Sequence, residues 1–352
     1  MNVAFFAQAP FISGAERCLQ LLLSNIEETS IKPYLFVPPR SPMIDWAKKN
    51  DIPVIILPLL VNKLGYAKQR AVQLAILYYL LRHKISVIHS NQLWTLKIIP
   101  SVVTWLNIKV VCHLRDSIEQ GAQWWFSNST DAVICISNNI EHQFRGEFPQ
   151  YNGKIFKLID PIAKPKTIAC QNSHGLVFGF IGQLRPEKGL REFILALSSV
   201  KSEVPWKLVI AGVDTTKEQN YRKALEDIID RESLTNHVEW LGFVSDLDDY
   251  YAAIDIAVTP SFDEPLGLIP LEAAIRRKPT LATKVGGLKE NIFHGETGFL
   301  YSPDYSDFDE VISQVFQYKD LSELGRKAEN SLDPMVDLGR NLKRLESVFH
   351  SL

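Results

Sequence analysis

The chain has 352 residues, a length that predicts about two domains. Its 38 Lys and Arg residues nearly balance its 40 Asp and Glu residues, which argues against non-specific nucleic-acid binding, since that usually requires a basic surplus. Hydrophobic residues make up 46% of the chain, which excludes wholesale disorder. The apolar runs 54–61 and 71–81 are shorter than a bilayer span of roughly 20 residues, and we expect no signal peptide at the N-terminus.

The four cysteines are isolated in the sequence, and no CxxC spacing occurs among Cys18, Cys112, Cys135 and Cys170. This pattern excludes the common zinc modules and disfavours a disulfide framework. The composition therefore predicts a reduced, cytoplasmic protein.

In chain order, the first half alternates between short apolar runs and amphipathic segments. Strands are expected at 3–7, 34–37, 54–57, 87–89, 110–113 and 132–136. Helices are expected after the loop 8–14 and at 67–82 and 93–105. Strands that are apolar throughout and separated by helices indicate a parallel sheet covered on both faces.

The stretch 159–173 is rich in Pro and Lys and lacks periodicity, so it is interpreted as an interdomain linker. The alternation then restarts. Strands are expected at 177–181, 207–211, 238–241, 256–259 and 280–283, and helices at 190–199, 217–232, 247–253, 268–276 and 337–350. The predicted domains are 1–165, with a C-terminal helix 335–352 crossing back, and 172–334. A cleft between two doubly wound sheets would be the expected site, at the carboxyl ends of the strands.

Two glutamates, Glu264 and Glu272, bracket a predicted helix start that follows a strand. Gly267 lets the backbone approach a ligand, and the amides of Leu266–Leu268 point outward at the helix N-terminus. Carboxylates on both sides of an anion-binding terminus suit a sugar nucleotide, which offers hydroxyls and phosphates. The alternative is an ordinary helix start with acidic residues in its first turn.

The segment Glu264–Glu272 resembles the E-x7-E signature of retaining GT-B glycosyltransferases, close to glycosyltransferase family 4 (group 1 type). The likeness is dense over 178–301. It includes FIGQLRPEKG at 180–189, Gly286-Gly287 with Glu290, and Gly295 with Thr297-Gly298. The resemblance implies an α/β GT-B fold, with two Rossmann-like doubly wound parallel-sheet domains facing a central cleft. It also implies sugar transfer from a UDP- or GDP-sugar to an acceptor hydroxyl, with retention of configuration.

The resemblance gives Arg185 and Lys188 the role of stabilising the diphosphate leaving group, for which fixed cations are suited. Their alternative is to be two solvated surface cations. No Asp-x-Asp pair stands at a strand end, and the pair Asp246 and Asp248 opens a helix, where capping is the better interpretation. We therefore expect no metal and no cofactor beyond the nucleotide-sugar co-substrate.

Ser13 and Gly14 follow the first strand, where the resemblance implies a glycine-rich loop that meets the diphosphate or the acceptor. Relatives often have a second glycine in place of Ser13. The alternative is that Ser13 caps the helix and Glu16 completes a capping box. A dinucleotide-binding loop is disfavoured, because no GxGxxG occurs here or at 179–189.

His113 ends a predicted strand, and the resemblance implies that it contacts the donor sugar. The alternative is a hydrogen bond to neighbouring backbone. Asp116 is either an acceptor-side base or a helix cap, and Asn91 is either a substrate ligand or a structural side chain. Ser137 resembles a family serine, but helix capping is the preferred interpretation.

The loop 241–244, with Val244, is expected from the resemblance to meet the edge of the nucleobase. The segment Lys63–Lys84 combines basic residues with an apolar stripe of Leu74, Leu77, Tyr78 and Leu81. Such a helix could lie peripherally on the inner face of an anionic membrane. The alternative is that this stripe packs on the sheet.

The predicted function is therefore that of a hexosyltransferase-type glycosyltransferase in glycan, polysaccharide or glycolipid synthesis. The expected partners are a nucleotide-sugar donor and a glycan or lipid-linked acceptor. Two alternatives stay open, a sugar-nucleotide epimerase of the same fold and a catalytically degenerate GT-B scaffold protein.

Overall fold

The computed structural model describes residues 1–9, 11–59, 65–124, 126, 129–167 and 175–352. They divide into two compact units. Unit 1 is Met1–Ala163 with Pro334–Leu352, and unit 2 is Lys164–Asp333. Within these described ranges, no helix is both long and apolar enough to cross a bilayer.

Unit 1 is built on a seven-stranded sheet in which every strand pairing is parallel. Its strands are β1 (Asn2–Phe6), β2 (Lys32–Val37), β3 (Val54–Ile56), β4 (Val87–Ser90), β5 (Lys109–Leu114), β6 (Ala132–Cys135) and β7 (Lys154–Lys157). They lie in the order β3-β2-β1-β4-β5-β6-β7. Its helices are α1 (Gly14–Ser24), α2 (Met43–Lys49), α3 (Tyr66–Arg82), α4 (Asn138–Glu147) and the C-terminal helix (Leu338–His350).

The core of unit 1 joins the central strands to residues from both ends of the chain. Val3 and Phe5 of β1 are fully buried, as expected for a strand covered on both faces. The C-terminal helix contributes buried apolar side chains to this core, namely Leu342, Leu345, Val348 and Phe349. Asp337 caps that helix by accepting a hydrogen bond from the Arg340 amide.

Unit 2 repeats the arrangement with six described strands, again all parallel. They are β8 (Leu176–Ile181), β9 (Trp206–Ala211), β10 (Val238–Gly242), β11 (Ile256–Thr259), β12 (Thr280–Thr283) and β13 (Gly298–Tyr301). Their order is β10-β9-β8-β11-β12-β13. The helices are α5 (Leu190–Ser198), α6 (Tyr221–Arg231), α7 (Leu247–Ala252), α8 (Leu268–Ala274), α9 (Leu288–Asn291), α10 (Phe308–Gln317) and α11 (Leu321–Asn330).

The two Rossmann-like parallel sheets confirm the predicted fold class. The expected helix at 93–105 is wrong, because the chain forms two short 3-10 helices there, Leu93–Ile98 and Ser101–Thr104. Pro100 separates them. It cannot donate a backbone hydrogen bond, and Ile99 before it is extended.

Helix α3 packs with a different stripe from the one expected. Val72, Ile76 and Leu80 are its buried residues, whereas Leu74 and Tyr78 are exposed. The interpretation that the stripe containing Leu74 and Tyr78 covers the sheet is therefore wrong. Four-residue spacing accounts for both sets, since 72/76/80 and 74/78 lie on different faces of one helix.

The three described cysteines, Cys18, Cys112 and Cys135, are all buried. Burial raises the pKa of Cys135 to about 12. These thiols are therefore apolar core groups rather than reactive ones. Cys170 lies outside the described residues, as do the predicted linker residues 168–173 and Lys63.

Candidate functional site

In unit 2, the strand order reverses direction between β8 and β11, which are neighbours in the sheet. Ligands of open parallel sheets bind at such a switch point, beyond the carboxyl ends of the strands. The loops that follow these two strands touch. The Phe262 amide donates to the Glu187 carbonyl at 3.1 Å. Gly189 has φ +67°, and a Cβ there would lie 1.9 Å from the Pro260 carbonyl oxygen.

Lys188 and Glu264, one from each loop, form an ion pair. Lys188 Nζ donates to Glu264 Oε2 at 2.8 Å, and both side chains are partly buried. The Glu264 backbone carbonyl also accepts from the Gly287 amide at 2.8 Å, so the loop after β12 joins the same edge. Lys188 and Glu264, both expected at the site, therefore lie together at the edge where the neighbouring strands β8, β11 and β12 end.

Arg185 lies in the same loop as Lys188 but is more accessible. Its Nε donates to Glu187 Oε1 at 2.5 Å, and both of these side chains are about half exposed. An exposed pair of this kind contributes little to stability, so the guanidinium can exchange partners at low cost.

Gly267 has φ +87° and directly precedes α8. The left-handed conformation favours glycine at this position. Leu266 is buried, and its carbonyl accepts from the Asn291 side-chain amide. Leu268 is the first residue of α8. The turn that positions Glu264 is thus fixed by backbone geometry and by α9.

Glu272 lies on α8 and is partly buried beside Tyr251. The Tyr251 hydroxyl donates to Glu272 Oε2 at 3.5 Å. Burial is the larger cause, and the negative charge of Glu272 the second, of a Tyr251 pKa raised well above its usual value. The phenol therefore stays protonated and donates to the carboxylate.

Arg276 has a structural role that the sequence did not indicate. Its Nε and Nη2 both lie 2.8 Å from Asp248 Oδ1, in a nearly buried pair. Asp248 also accepts from the Lys166 amide at 2.7 Å. Desolvation alone would raise the pKa of Asp248, but the hydrogen bonds from Lys166 and Arg276 lower it. Asp246 accepts from the Asp248 and Asp249 amides, which confirms its expected capping role.

Val244 is partly exposed and packs against the cluster that includes Tyr250 and Tyr251. Its neighbours Leu241 and Phe243 are exposed. Across the described ranges, no group of three or more His, Cys, Asp and Glu side chains is arranged to hold a metal ion.

In unit 1, the strand order reverses between β1 and β4. Gly14 opens α1 after β1. The alternative interpretation of Ser13 and Glu16, a capping box, is confirmed, since Glu16 Oε2 accepts from the Ser13 amide at 3.1 Å. Glu16 is also fully buried, and its other oxygen accepts from Gln92 Nε2 at 3.1 Å. The carboxylate thus ties the start of α1 to the loop after β4.

His113, expected to end a buried strand and to contact the donor sugar, is fully buried. Its Nδ1 lies 3.1 Å from His89 Nε2, and its Nε2 lies 3.9 Å from Asp160 Oδ1. Arg115 Nε contacts both oxygens of Asp160 at 2.9 Å. Burial and the charge of Arg115 lower the pKa of both histidines, so each is neutral at pH 7.

Asn91 belongs to this buried group. Its Oδ1 accepts from Arg115, and its Nδ2 donates to the Ala15 carbonyl at 3.4 Å.

Asp116 is exposed and precedes no helix, so its alternative interpretation as a helix cap is wrong. Desolvation and the charge of Glu16 raise the pKa of Asp116. Ser137 caps α4 by accepting from the Ile140 amide at 3.1 Å, as preferred.

The sequence analysis missed the pairing of Arg115 with Asp160. Asp160 falls in the stretch interpreted as a linker, and β7, the strand before it, was not predicted. The signal available was a charged residue in an apolar surrounding, Leu158-Ile159-Asp160. A buried charge requires a partner, and Arg115 is also buried.

Residues 170–330 match the family model of glycosyl transferases, group 1. This segment contains the loops that carry Lys188 and Glu264.

Curated relatives match parts of the chain. A D-inositol 3-phosphate glycosyltransferase of Pseudarthrobacter chlorophenolicus is 34% identical over 40% of the chain and 34% of its own length. The lipopolysaccharide core biosynthesis mannosyltransferase LpcC of Rhizobium leguminosarum bv. viciae is 31% identical over 49% of the chain and 51% of its own length. The chain thus spans about a third to a half of these relatives.

A solved structure resembles the whole chain. The crystal structure of Anabaena Alr3699/HepE in complex with UDP-glucose has a TM-score of 0.81 and 21% identity, with full coverage of both chains. At this identity the likeness establishes the fold, and the chain has the GT-B α/β fold.

Proposed function

We propose that the chain is a glycosyltransferase that moves a sugar from a nucleoside-diphosphate sugar to an acceptor hydroxyl. The observation that carries this proposal is the ion pair of Lys188 with Glu264 at the switch point of unit 2. It brings a cation and a carboxylate together inside the segment that matches the group 1 family model.

In the proposed reaction, Lys188 and Arg185 stabilise the charge that develops on the diphosphate as the sugar leaves. Glu264 and the amides of Leu266–Leu268 hold the sugar hydroxyls. Glu272 binds the ribose diol. Arg185 contacts Glu187 of its own loop, and Lys188 contacts Glu264 of the loop after β11. A bound diphosphate would replace or share these partners.

We further propose that transfer is metal-independent and retains the anomeric configuration. Two protein cations neutralise the leaving group without a divalent ion. No side chain is assigned as a covalent nucleophile, so the leaving phosphate would help to deprotonate the acceptor hydroxyl on the same face, with positioning as the main contribution.

Unit 1 is proposed to supply the acceptor side through Gly14 and Asp116. The raised pKa of Asp116 makes its carboxylate a stronger base than an ordinary aspartate. Asn91 and His113 would act indirectly, because their buried hydrogen bonds hold the start of α1 and the end of β5 in place.

The proposal is tested with UDP-glucose as the first donor probe, since the similar Anabaena structure was crystallised with it. We expect Lys188→Ala and Arg185→Ala each to lower the transfer rate by on the order of 10²–10³. Arg191→Ala is the matched control, because Arg191 is a half-exposed cation on the adjacent α5 that pairs with Glu192.

Retention of full activity in both Lys188→Ala and Arg185→Ala would overturn the assignment. Incubating the protein with donor and no acceptor separates the epimerase alternative, since only an epimerase would isomerise the sugar nucleotide. Calorimetry with UDP and GDP, in the presence of EDTA, tests nucleotide binding and metal independence together.

A further inference from the structure

The charge of this chain is unevenly distributed along the sequence. From Ile52 to Arg115 there are eight Lys and Arg residues and no Asp or Glu, whereas the remaining chain has thirty basic and forty acidic residues. The near-neutral total therefore conceals a basic segment within unit 1. Helix α3 lies in the middle of this segment.

Helix α3 presents large apolar side chains to solvent. Leu74 is 68% exposed, Tyr78 56% and Leu81 53%. Their spacing of four and three residues places them on one face. This exposed face is distinct from the packed one, on which Val72 and Ile76 are buried.

Two arginines flank this face, one at each end. Arg70 Nε donates to the Tyr66 hydroxyl at 3.1 Å, and Arg82 Nη1 donates to the Tyr78 hydroxyl at 3.4 Å. Arg70 Nη1 also donates to Gln73 Oε1 at 3.1 Å, so the hydrogen-bond partners of both guanidiniums are neutral side chains. We call the exposed side chains of Arg70, Leu74, Tyr78, Leu81 and Arg82 the α3 surface.

We propose that the α3 surface docks on an anionic lipid membrane. An apolar stripe bordered by cations and tyrosines matches the boundary between acyl chains and anionic headgroups. Self-association fits less well, because a second copy would bring further arginines and no acidic residue of this segment against the surface. The inference goes beyond the proposed transfer reaction and stands without it.

The test is flotation of the full chain with vesicles of 70% phosphatidylcholine and 30% phosphatidylglycerol. We expect partition onto these vesicles at low salt and little partition onto pure phosphatidylcholine. Arg70→Gln with Arg82→Gln should weaken partition on the order of 30-fold, since each cation near an anionic surface contributes about fivefold. Leu74→Ser with Leu81→Ser should weaken it about tenfold or more.

The matched control is Lys223→Gln with Arg231→Gln, which removes two exposed cations from α6 of unit 2 and should leave partition unchanged. Thermal melting of every variant checks folding, and UDP calorimetry reports separately on the proposed transfer function. The proposal is overturned if the unaltered chain does not float with anionic vesicles, or if the α3 variants float equally well. It is also overturned if light scattering shows a dimer that Leu74→Ser with Leu81→Ser dissociates.

Discussion

At the scale of single residues, unit 1 is distinguished by a charge pair enclosed in its interior. Arg115 and Asp160 are both buried and come from the ends of β5 and β7, so they join two strand ends. Asn91 extends the pair to the carbonyl of Ala15 at the start of α1. Such a network costs desolvation energy but specifies one arrangement of the loops it joins.

Asp160→Asn should therefore destabilise the chain strongly, by about 3–5 kcal/mol, since it leaves Arg115 as an uncompensated buried charge. Urea unfolding followed by circular dichroism measures this loss. The control is Glu226→Gln, which breaks an exposed pair with Arg222 one helical turn away and should cost about 0.5 kcal/mol or less. A loss in Asp160→Asn as small as in the control would contradict the structural role.

At the scale of elements, the site of unit 2 depends on how closely the loops after β8 and β11 approach. Gly189 and Gly295 offer a matched pair, because both have positive φ, +67° and +76°. A Cβ at Gly189 would collide with the Pro260 carbonyl, whereas nothing lies within 4 Å of one at Gly295. Substituting alanine at each of the two glycines therefore distinguishes the effect of backbone strain alone from the effect of a collision between the loops.

Gly295→Ala should cost about 1–2 kcal/mol from the left-handed conformation alone. Gly189→Ala should cost more, and it should also weaken binding of UDP, because it pushes the loop of Lys188 away from the loop of Glu264. Urea unfolding gives the first quantity and calorimetry the second. Equal effects of both substitutions on stability and on UDP binding would show that the close approach does not matter.

The central strands were predictable from sequence because burial on both faces favours continuous apolar runs, as in β6, whose sequence is Ala-Val-Ile-Cys. The edge strand β7 was missed, since its sequence Lys154–Lys157 begins and ends with lysine. In α3, an apolar residue at the right spacing did not mean a buried one. Only the packed structure distinguishes the face of Ile76 from the face of Leu74.

At the scale of the whole molecule, proximity of residues far apart in the chain is what the sequence could not supply. Lys188 and Glu264 were assigned to one site through a motif resemblance, and the structure places them 2.8 Å apart. No motif led to the contact of Asp160 with Arg115, because it arises only when the sheet of unit 1 is assembled. The catalytic roles of Lys188 and Glu264 remain predictions.

The chain also returns to unit 1 after completing unit 2, and this path has a measurable consequence. Leu345 of the C-terminal helix is fully buried in the same core as Val3 and Phe5. Leu345→Ala should cost about 2–5 kcal/mol. Hydrogen exchange should accordingly quicken in peptides from β1 and β2, more than 300 residues away in sequence.

Leu225→Ala provides the comparison, since Leu225 is equally buried on α6 in the core of unit 2. It should quicken exchange in peptides from β8 and β9 while leaving β1 and β2 largely protected. If Leu345→Ala instead loosened β8 and β9, or left β1 and β2 unchanged, the last helix would not stabilise the first unit. The expected pattern would mean that the stability of unit 1 depends on residues at both ends of the chain, so that removing the C-terminal helix would weaken the proposed acceptor side without touching any residue there.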